Sequence, residues 1–196
     1  MFQRKIESEL VEWRSRANRK PLILRGARQV GKTTLVDMFS KHFEKYIYIN
    51  FEEKEYIKIF ESTDNFEDLL AAIYLKNNLP KTESQTLIFL DEIQNSSLAI
   101  SKLRFFYEKH PELFVIAAGS LLETTVDYKS SFPVGRVEYL RMYPLTFDEF
   151  LPAIGETEAL KALNEIPFPM YAHLQMMKLY NRYALIGGMP EAVKLY

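Results

Sequence analysis

Residues 26–33 constrain the fold of this chain more than any other part of its sequence. They read Gly-Ala-Arg-Gln-Val-Gly-Lys-Thr, with a glycine on each side of a four-residue spacer and a Lys-Thr pair after the second glycine. The apolar run 21–24 precedes this loop and predicts a buried strand, and Leu35 and Phe39 follow it at helical spacing. A strand, a glycine loop and a helix, followed by a second apolar run at 46–50, predict a βαβ unit.

The chemistry of phosphate binding explains the spacing of this loop. Glycines let the backbone curl so that successive N–H groups face a phosphate, and the helix that follows adds positive potential at its N-terminus. The ammonium of Lys32 can reach the β- and γ-phosphate oxygens, and the hydroxyl of Thr33 can bind Mg²⁺. The alternative is a chance glycine turn, and the flanking strand and helix count against it. We therefore predict that the loop binds a nucleoside triphosphate with Mg²⁺.

Two adjacent carboxylates end another buried strand. Residues 87–90 are all apolar and run into Asp91 and Glu92. In phosphate-loop enzymes an aspartate at this place holds the metal with its water shell, and a following glutamate polarises the attacking water. The alternative is a strand end that meets acidic loop residues by chance. Together with the phosphate loop, the pair predicts metal binding by Asp91 and hydrolysis activated by Glu92.

Two further polar residues are candidates for the reaction. Ser120 follows the candidate strand 113–118, where its side chain could lie between the attacking water and the γ-phosphate; an ordinary turn residue is the alternative. Arg136 precedes the last candidate strand, 137–142, and arginine stabilises charge on a transferring phosphoryl group in cis or in trans. A surface arginine is the alternative. The predicted catalytic residues are Lys32, Glu92, Ser120 and Arg136, and the predicted metal ligands are Thr33 and Asp91.

The nucleotide class follows from what the sequence lacks. It contains no Asn-Lys-x-Asp guanine-reading motif, and nothing like Asp-x-x-Gly follows Glu92. GTPase switch chemistry is therefore disfavoured, and ATP is the predicted nucleotide. The residues of the loop predicted to bind it are Gly26, Ala27, Arg28, Gln29, Val30, Gly31, Lys32, Thr33 and Thr34.

Helical patterns stand on both sides of the loop. Apolar residues recur at helical spacing over residues 1–20 and predict a packed amphipathic helix, with a basic nucleic-acid arm as the alternative. They are Phe2, Ile6, Leu10, Trp13 and Ala17. A later helix is expected to start at Asp64, which with Glu67 has the spacing of a capping box.

We predict an α/β fold in three parts. The first helix, residues 1–20, packs on a domain at 21–152, in which parallel strands alternate with helices that cover both faces of the sheet. Helices predicted at 156–164 and 171–185 have no strand signal between them. They predict a small helical lid subdomain at 153–196.

Composition excludes several classes of protein. The formal net charge is −1 and the pI about 6.3, which give no global attraction to nucleic acid. No uninterrupted apolar run approaches the roughly 20 residues that span a bilayer. The chain has no cysteine, and its start has neither the apolar core of a signal peptide nor the acid-poor composition of a transit peptide. We expect no membrane partner and a cytoplasmic location.

Together these motifs resemble one family of P-loop proteins. Its specific segments are Arg-Gln-Val-Gly-Lys-Thr at 28–33, Asp-Glu-Ile-Gln at 91–94 and Pro-Leu-Thr-Phe at 144–147, with Gly-Gly-Met-Pro at 187–190. The chain resembles the AAA-type ATPases of bacteria and archaea that are related to signal-transducing STAND and archaeal ATPases. The resemblance covers nearly the whole chain.

The resemblance implies a sheet of strand order 5-1-4-3-2 with a helical lid, and ATP hydrolysis used as a conformational switch. It implies a sensor role for Ser120 and a γ-phosphate-sensing or finger role for Arg136. It also implies that the turn at Pro190 approaches the adenine base, for which a plain turn before a helix is the alternative. Family members usually continue into a domain related to restriction endonucleases, so the resemblance implies that a chain stopping at Tyr196 is part of a longer protein. We expect the lid at 153–196 to be incomplete.

Three functions are compatible with these motifs. The leading hypothesis is an ATP-hydrolysing switch, and its rival is a nucleotide-gated interaction or DNA-binding module with negligible turnover. A phosphotransferase is the third, weakened because the sequence has no acceptor-site signature. A DNA partner, a protein partner and assembly with further copies of the chain all stay open.

Overall fold

The computed structural model describes residues 2–81, 85–119 and 133–196. The strands within these ranges are β1 (Leu22–Arg25), β2 (Lys45–Asn50), β3 (Thr86–Asp91), β4 (Phe114–Gly119) and β5 (Glu138–Arg141). They form one parallel sheet in the order β2-β3-β4-β1-β5. Read from the other edge this order is 5-1-4-3-2, which confirms the predicted sheet.

Helices cover both faces of this sheet. Those in the described residues are α1 (Ile6–Ser15), α2 (Lys32–Phe39), α3 (Lys54–Ser62), α4 (Phe66–Lys76), α5 (Ser97–Lys109), α6 (Phe147–Ala153), α7 (Thr157–Leu163), α8 (His173–Ile186) and α9 (Pro190–Leu195). Leu87 and Phe89 of β3 pack with α1 and α2, whereas Ile88 and Leu90 pack with α3, α4 and α5. Because both faces are covered, every residue of β3 is buried, which explains its uninterrupted apolar run. None of these helices combines the length and the apolar composition that a membrane span needs.

The N-terminal helix packs on the sheet face that also carries α2. Ile6, Leu10 and Trp13 are buried there, as their spacing predicts. The helix is shorter than predicted. It ends at Ser15, where the backbone of Arg16 becomes extended, and Ala17 is exposed. Nε1 of Trp13 donates to the Lys20 carbonyl at 2.9 Å, and this bond fixes the turn that leads from the helix into β1.

The helix α3 has no counterpart among the predicted elements. Its apolar residues Tyr56, Ile57, Ile59 and Phe60 are spaced as on one helix face and pack on the core, but they span only five positions. A pattern this short does not distinguish a helix by its periodicity. The N-cap residue of the next helix, α4, lies one position later than predicted. Asn65 caps it in place of Asp64, because the Asn65 side-chain oxygen accepts the backbone N–H of Glu67 at 3.0 Å.

Lys102 of α5 is a buried cation that holds the end of α3. The residue is 9% exposed, and Nζ donates to the carbonyl oxygens of Phe60 and Thr63 at 3.0 and 2.6 Å. The last carbonyl groups of a helix have no later helical N–H to accept from, so they need donors from elsewhere. Lys102 supplies such a donor and joins α5 to α3.

We predict that Lys102→Met lowers the free energy of unfolding by about 1–3 kcal/mol, because it leaves two carbonyl groups without their donor. Lys109→Met on the same helix is the control, since Lys109 is exposed, and it should change that free energy by no more than about 0.5 kcal/mol. Urea unfolding followed by circular dichroism measures both variants. Equal stability of the two would contradict a capping role for Lys102.

The C-terminal helices form a small core of their own. Leu151, Met176 and Leu179 are buried together, with Phe147 and Ile154 packed against them. The helices α7 and α8 occupy nearly the ranges that the sequence predicts. This core is separate from the two clusters that cover the faces of the sheet.

The turn before α9 packs on the segment that precedes α6. The Leu145 N–H donates to the Gly188 carbonyl at 2.7 Å, and the Tyr183 hydroxyl donates to the Leu145 carbonyl at 2.8 Å. A Cβ atom on Gly188 would lie 2.1 Å from the Leu145 carbonyl oxygen, so this close approach requires glycine. The contact explains the second glycine of the Gly-Gly-Met-Pro segment and fixes where Pro190 starts α9.

Candidate functional site

The loop between β1 and α2 begins at the carboxyl end of β1. Gly26 has a φ of 154°, Gln29 of 63° and Gly31 of 98°, all in the range that favours glycine. A Cβ atom on Gly26 would also lie 2.4 Å from the carbonyl oxygen of Met142. Gly31 ends the loop as the N-cap residue of α2. The backbone itself therefore requires the two glycines of the motif.

Lys32 projects its ammonium back over the loop. Nζ donates to the carbonyl oxygens of Gly26 and Ala27, each at 2.9 Å, and the residue is 7% exposed. Burial lowers the pKa of Lys32, while the negative charges of Glu92 and Asp91 act in the opposite direction. The loop thus holds a cationic donor at its centre, for which phosphate oxygens are stronger acceptors than neutral carbonyl groups.

The Thr33 and Asp91 side chains meet where α2 begins and β3 ends. The Thr33 hydroxyl donates to Asp91 Oδ2 at 2.7 Å, and the Glu92 N–H donates to Asp91 Oδ1 at 3.0 Å. Burial raises the pKa of Asp91, and these two hydrogen bonds act against that shift. A hydroxyl and a carboxylate side by side are oxygen ligands of the kind that Mg²⁺ prefers, so these residues fit the predicted metal.

Tyr48 of β2 is a neighbour of this pair that the sequence motifs do not indicate. Its hydroxyl donates to Asp91 Oδ2 at 3.3 Å, and burial together with the Asp91 charge raises the pKa of Tyr48. Tyr48 pairs with Phe89 of β3, so the two side chains lie on the same face of the sheet. Asp91 follows Phe89 by two positions and therefore shares that face. Alternation along β2 could have indicated the face of Tyr48 but not its partner.

Glu92 adopts a left-handed backbone conformation directly after β3. Its φ is 50°, which is uncommon for a residue with a side chain, and such conformations cluster at functional sites. Nε2 of Gln94 donates to Glu92 Oε2, so the glutamine of the Asp-Glu-Ile-Gln segment holds this carboxylate. Glu92 lines the same cavity as Lys32 and Thr33.

A cavity of about 660 Å³ lies in front of the loop. Most of the predicted nucleotide-binding residues line it, whereas Val30 is fully buried and supports the loop from below. The lining residues that the sequence predicts are Arg28, Gln29, Gly31, Lys32, Thr33, Thr34, Glu92 and Pro190, and those that it misses are Phe2, Glu52, Glu191 and Lys194. The missed residues lie far from the loop in sequence, so no local pattern connects them to it.

A second cavity, of about 690 Å³, adjoins the first. The two share Phe2, Thr34 and Lys194. The other lining residues are mostly apolar and come from the C-terminal helices: Ala153, Ile154, Val193 and Tyr196. The side chains around the loop cavity are therefore more polar than those around the adjoining cavity.

The structure does not bring Arg136 to the first cavity. Arg136 lies before the amino end of β5, where Leu22 of β1 pairs with Glu138, whereas the phosphate loop follows the carboxyl end of β1. Its Nε atom is 2.8 Å from Glu108 Oε1 and its side chain is 50% exposed. The Glu108 carboxylate raises the pKa of Arg136. Ser120, another predicted catalytic residue, lies outside the described residues.

A parallel sheet, a glycine loop between β1 and α2, and the Thr33–Asp91 pair beside that loop define the class of phosphate-loop nucleotide-binding folds. Within this class, the sequence distinguishes the family. Residues 18–151, more than half of the chain, match the family described as AAA domain. The chain therefore belongs to the AAA domain family.

Known proteins resemble this chain in sequence or in fold at low sequence identity. A Haemophilus influenzae protein described as uncharacterized is 23% identical in an alignment of 181 positions, which covers 87% of this chain and 40% of the relative. The Walker-type ATPase PABY2304 of Pyrococcus abyssi matches with a TM-score of 0.59 at 18% identity, over 98% of this chain and 66% of its own. Drosophila ORC bound to DNA matches with a TM-score of 0.52 at 16% identity, over 89% of this chain and 50% of its own. The chain thus spans between 40% and 66% of the length of these relatives.

Proposed function

We propose that this chain is an ATP-hydrolysing module of the AAA type, dependent on Mg²⁺, whose nucleotide state drives a change of conformation. One observation carries the proposal: Lys32, Thr33, Asp91 and Glu92 meet beside one cavity. They come from two distant segments of the chain, and together they supply the cationic donor, the metal ligands and the carboxylate base that phosphoryl transfer to water requires.

We assign phosphate binding to the loop and the first turn of α2. The N–H groups at the start of a helix have no earlier helical acceptor, and the helix dipole favours an anion there. The Lys32 ammonium can exchange the carbonyl oxygens of Gly26 and Ala27 for phosphate oxygens. Thr33 and Asp91 would hold Mg²⁺, which would supply positive charge to offset the negative charge of the phosphates.

We assign the attacking water to Glu92. A carboxylate in the cavity can accept a hydrogen bond from that water and take up its proton at an Oε atom. The water oxygen then bonds to the γ-phosphorus while the bond from that phosphorus to the β–γ bridging oxygen breaks, and ADP leaves with the bonding electron pair. Gln94 donates to the same carboxylate and so orients it. The rival function is a nucleotide-gated interaction or DNA-binding module with negligible turnover. Such a module would not need a carboxylate held in place by Gln94, so the contact between Glu92 and Gln94 favours hydrolysis.

We assign the ATP base to the second cavity. Phe2 borders both cavities, so a nucleotide whose phosphates lie at the loop can place its flat ring against Phe2 and the C-terminal helices. Pro190 starts α9 and lines the loop cavity, so we place it beside the phosphates and not, as the resemblance implies, beside the adenine base. Both cavities are bordered by the loop or the first turn of α2 on one side and by the C-terminal helices on the other. This supports a division into a helix at 1–20, an ATPase domain at 21–152 and a lid at 153–196. Movement of that lid would open or close both cavities.

We assign Arg136 to the active site of a neighbouring copy of the chain. It is separated from its own phosphate loop by the length of β5, roughly 13 Å at about 3.3 Å per residue. The Arg136 guanidinium is half exposed and lies beside the outer strand of the sheet, so it can reach a neighbouring copy and act in trans, as arginine fingers do. From the resemblance of the motifs we also propose a further domain of the restriction-endonuclease-related kind. The matched relative is longer than this chain, which supports a further domain but not its kind.

A mixing experiment tests this function. Arg136→Ala and Lys32→Ala should each hydrolyse ATP at least about 100-fold more slowly than the wild type, and Arg136→Ala should still bind ATP. An equimolar mixture should recover activity, because Lys32→Ala supplies the arginine to the intact site of Arg136→Ala. Phosphate release is measured while the mass in solution is recorded.

Arg104→Ala is the control for this experiment, since Arg104 is another exposed arginine, on α5, and its removal should leave turnover unchanged. Wild-type turnover by Arg136→Ala would contradict the role of that residue. An inactive mixture of two variants that assemble with each other would contradict action in trans.

A further inference from the structure

Arg4 is a buried arginine that no sequence motif explains. It is 8% exposed, and Nη1 donates to the carbonyl oxygen of Val30 in the phosphate loop at 3.2 Å. Nη2 donates to the Tyr143 carbonyl at 2.5 Å, and Nε lies 3.3 Å from Glu149 Oε2. One side chain thus joins the N-terminal segment, the phosphate loop and the start of α6.

The charged partner of Arg4 is itself held in place. Glu149 Oε2 accepts the Thr146 N–H at 3.0 Å in the capping box of α6, and Oε1 accepts the Lys5 N–H at 2.7 Å. Burial of an unpaired charge is strongly unfavourable, so the guanidinium and this carboxylate keep each other in position. Arg4 therefore offers the Val30 carbonyl a donor with a defined position.

The contact with Val30 determines the direction of a neighbouring donor. A trans peptide unit is planar, so the carbonyl of Val30 and the N–H of Gly31 point in opposite directions. With the carbonyl turned to Arg4, the Gly31 N–H is turned away from it. Gly31 lines the cavity in front of the loop and has a φ of 98°, and glycine restricts the rotation of its own peptide less than any other residue does.

We propose that Arg4 is a positioning residue of the phosphate loop. It holds the Val30 carbonyl turned away from the cavity in front of the loop. The Gly31 N–H is thereby turned toward that cavity, where the phosphates of the nucleotide would lie. The identity of that ligand rests on the proposed function. Arg4 touches no phosphate and acts only through the peptide between Val30 and Gly31.

Three variants separate this role from a general contribution to stability. Arg4→Met removes the guanidinium. Arg4→Lys keeps a charge but carries all its donors on one nitrogen, which cannot reproduce the separate positions of Nη1 and Nη2 beside the Val30 and Tyr143 carbonyl oxygens. Lys102→Met is the matched control. It also removes a buried cation and its two carbonyl contacts, but between α3 and α5 and away from the loop.

Two measurements are made under conditions where unfolding curves show each variant to be folded. The affinity for a fluorescent ATP analogue should fall at least about 10-fold in both Arg4 variants and stay within about 2-fold in Lys102→Met. Hydrogen exchange of the nucleotide-free protein should be about 10-fold faster over residues 31–36 in the Arg4 variants. That stretch includes the Leu35 N–H, which is bonded to the Gly31 carbonyl at 2.9 Å.

Wild-type affinity in the Arg4 variants, or an equal loss in Lys102→Met, would overturn the proposal. If the wild-type chain binds no ATP analogue, the proposed function fails, and exchange in the nucleotide-free protein still decides on Arg4. Unchanged exchange over residues 31–36 would then overturn the positioning role. If Arg4→Met does not fold, Arg4→Lys carries the same comparison.

Discussion

Replacing Lys32 with alanine should abolish binding of ATP, with a loss of affinity of at least about 100-fold. The Lys32 ammonium is held over the loop by the carbonyl oxygens of Gly26 and Ala27, each 2.9 Å away. Alanine leaves the phosphates without this charge-assisted donor. It also leaves them in a cavity that contains the Glu92 carboxylate, so that charge repulsion adds to the loss. Calorimetric titration with ATP and Mg²⁺ measures the affinity.

The control for this prediction is Lys41→Ala, which removes an exposed lysine in the turn after α2. It should bind ATP as the wild type does. Unfolding curves of both variants check that a loss of binding is not a loss of the fold. Submicromolar affinity retained by Lys32→Ala would contradict the assignment of the loop.

Replacing Glu92 with glutamine should trap bound ATP. Turnover should fall by about 10²–10⁴-fold, the usual contribution of a general base, while the affinity for ATP is kept. The reason is that the glutamine amide can still contact Gln94 but cannot take up the proton of the attacking water. The lifetime of bound, radiolabelled ATP, measured in a single turnover with Mg²⁺, gives the result.

Two other carboxylates make this test specific. Glu53→Gln is the control, because Glu53 is exposed at the start of α3, and it should leave the lifetime of bound ATP unchanged. Glu52 lines the cavity, so trapping by Glu52→Gln in place of Glu92→Gln would transfer the role to Glu52. No change of lifetime in either variant is the result expected of the rival, a module that gates an interaction without turnover.

The phosphate loop could be predicted from sequence because its chemistry is local. Gly26 and Gly31 adopt positive φ angles that few other residues adopt. Lys32 and Thr33 follow the second glycine directly. The strand β3 could be predicted for a similar reason. A strand buried on both faces carries an uninterrupted apolar run, and its last residue, Asp91, lies at the same edge of the sheet as the loop.

The supporting residues could not be predicted, because their partners are distant in sequence. Arg4 contacts Val30 over 26 positions, and Tyr48 contacts Asp91 over 43. No spacing rule for helices or strands links residues so far apart, and only the packed fold brings them together. Phe2 is a similar case, since its apolar spacing indicates a helix face and carries no sign of the cavities that it borders.

Arg136 shows a different limit. Its residue type predicts a role in stabilising phosphoryl charge, but type alone does not say which site it serves. In a parallel sheet, residues that precede the strands lie at one end of the strands, and loops that follow the strands lie at the other end. This rule places Arg136 away from its own loop once the sheet is known to be parallel, and the pairing of Leu22 with Glu138 agrees with it.

Release of phosphate from ATP by the wild-type chain is the most direct measurement of the proposed activity. It is followed over a range of protein concentrations, with Mg²⁺ or with EDTA, and with or without DNA. We predict release that requires Mg²⁺, rises more than in proportion to protein concentration because Arg136 acts between copies, and is absent from Lys32→Ala. Release no greater than that of Lys32→Ala under every condition would contradict an ATPase built on this loop.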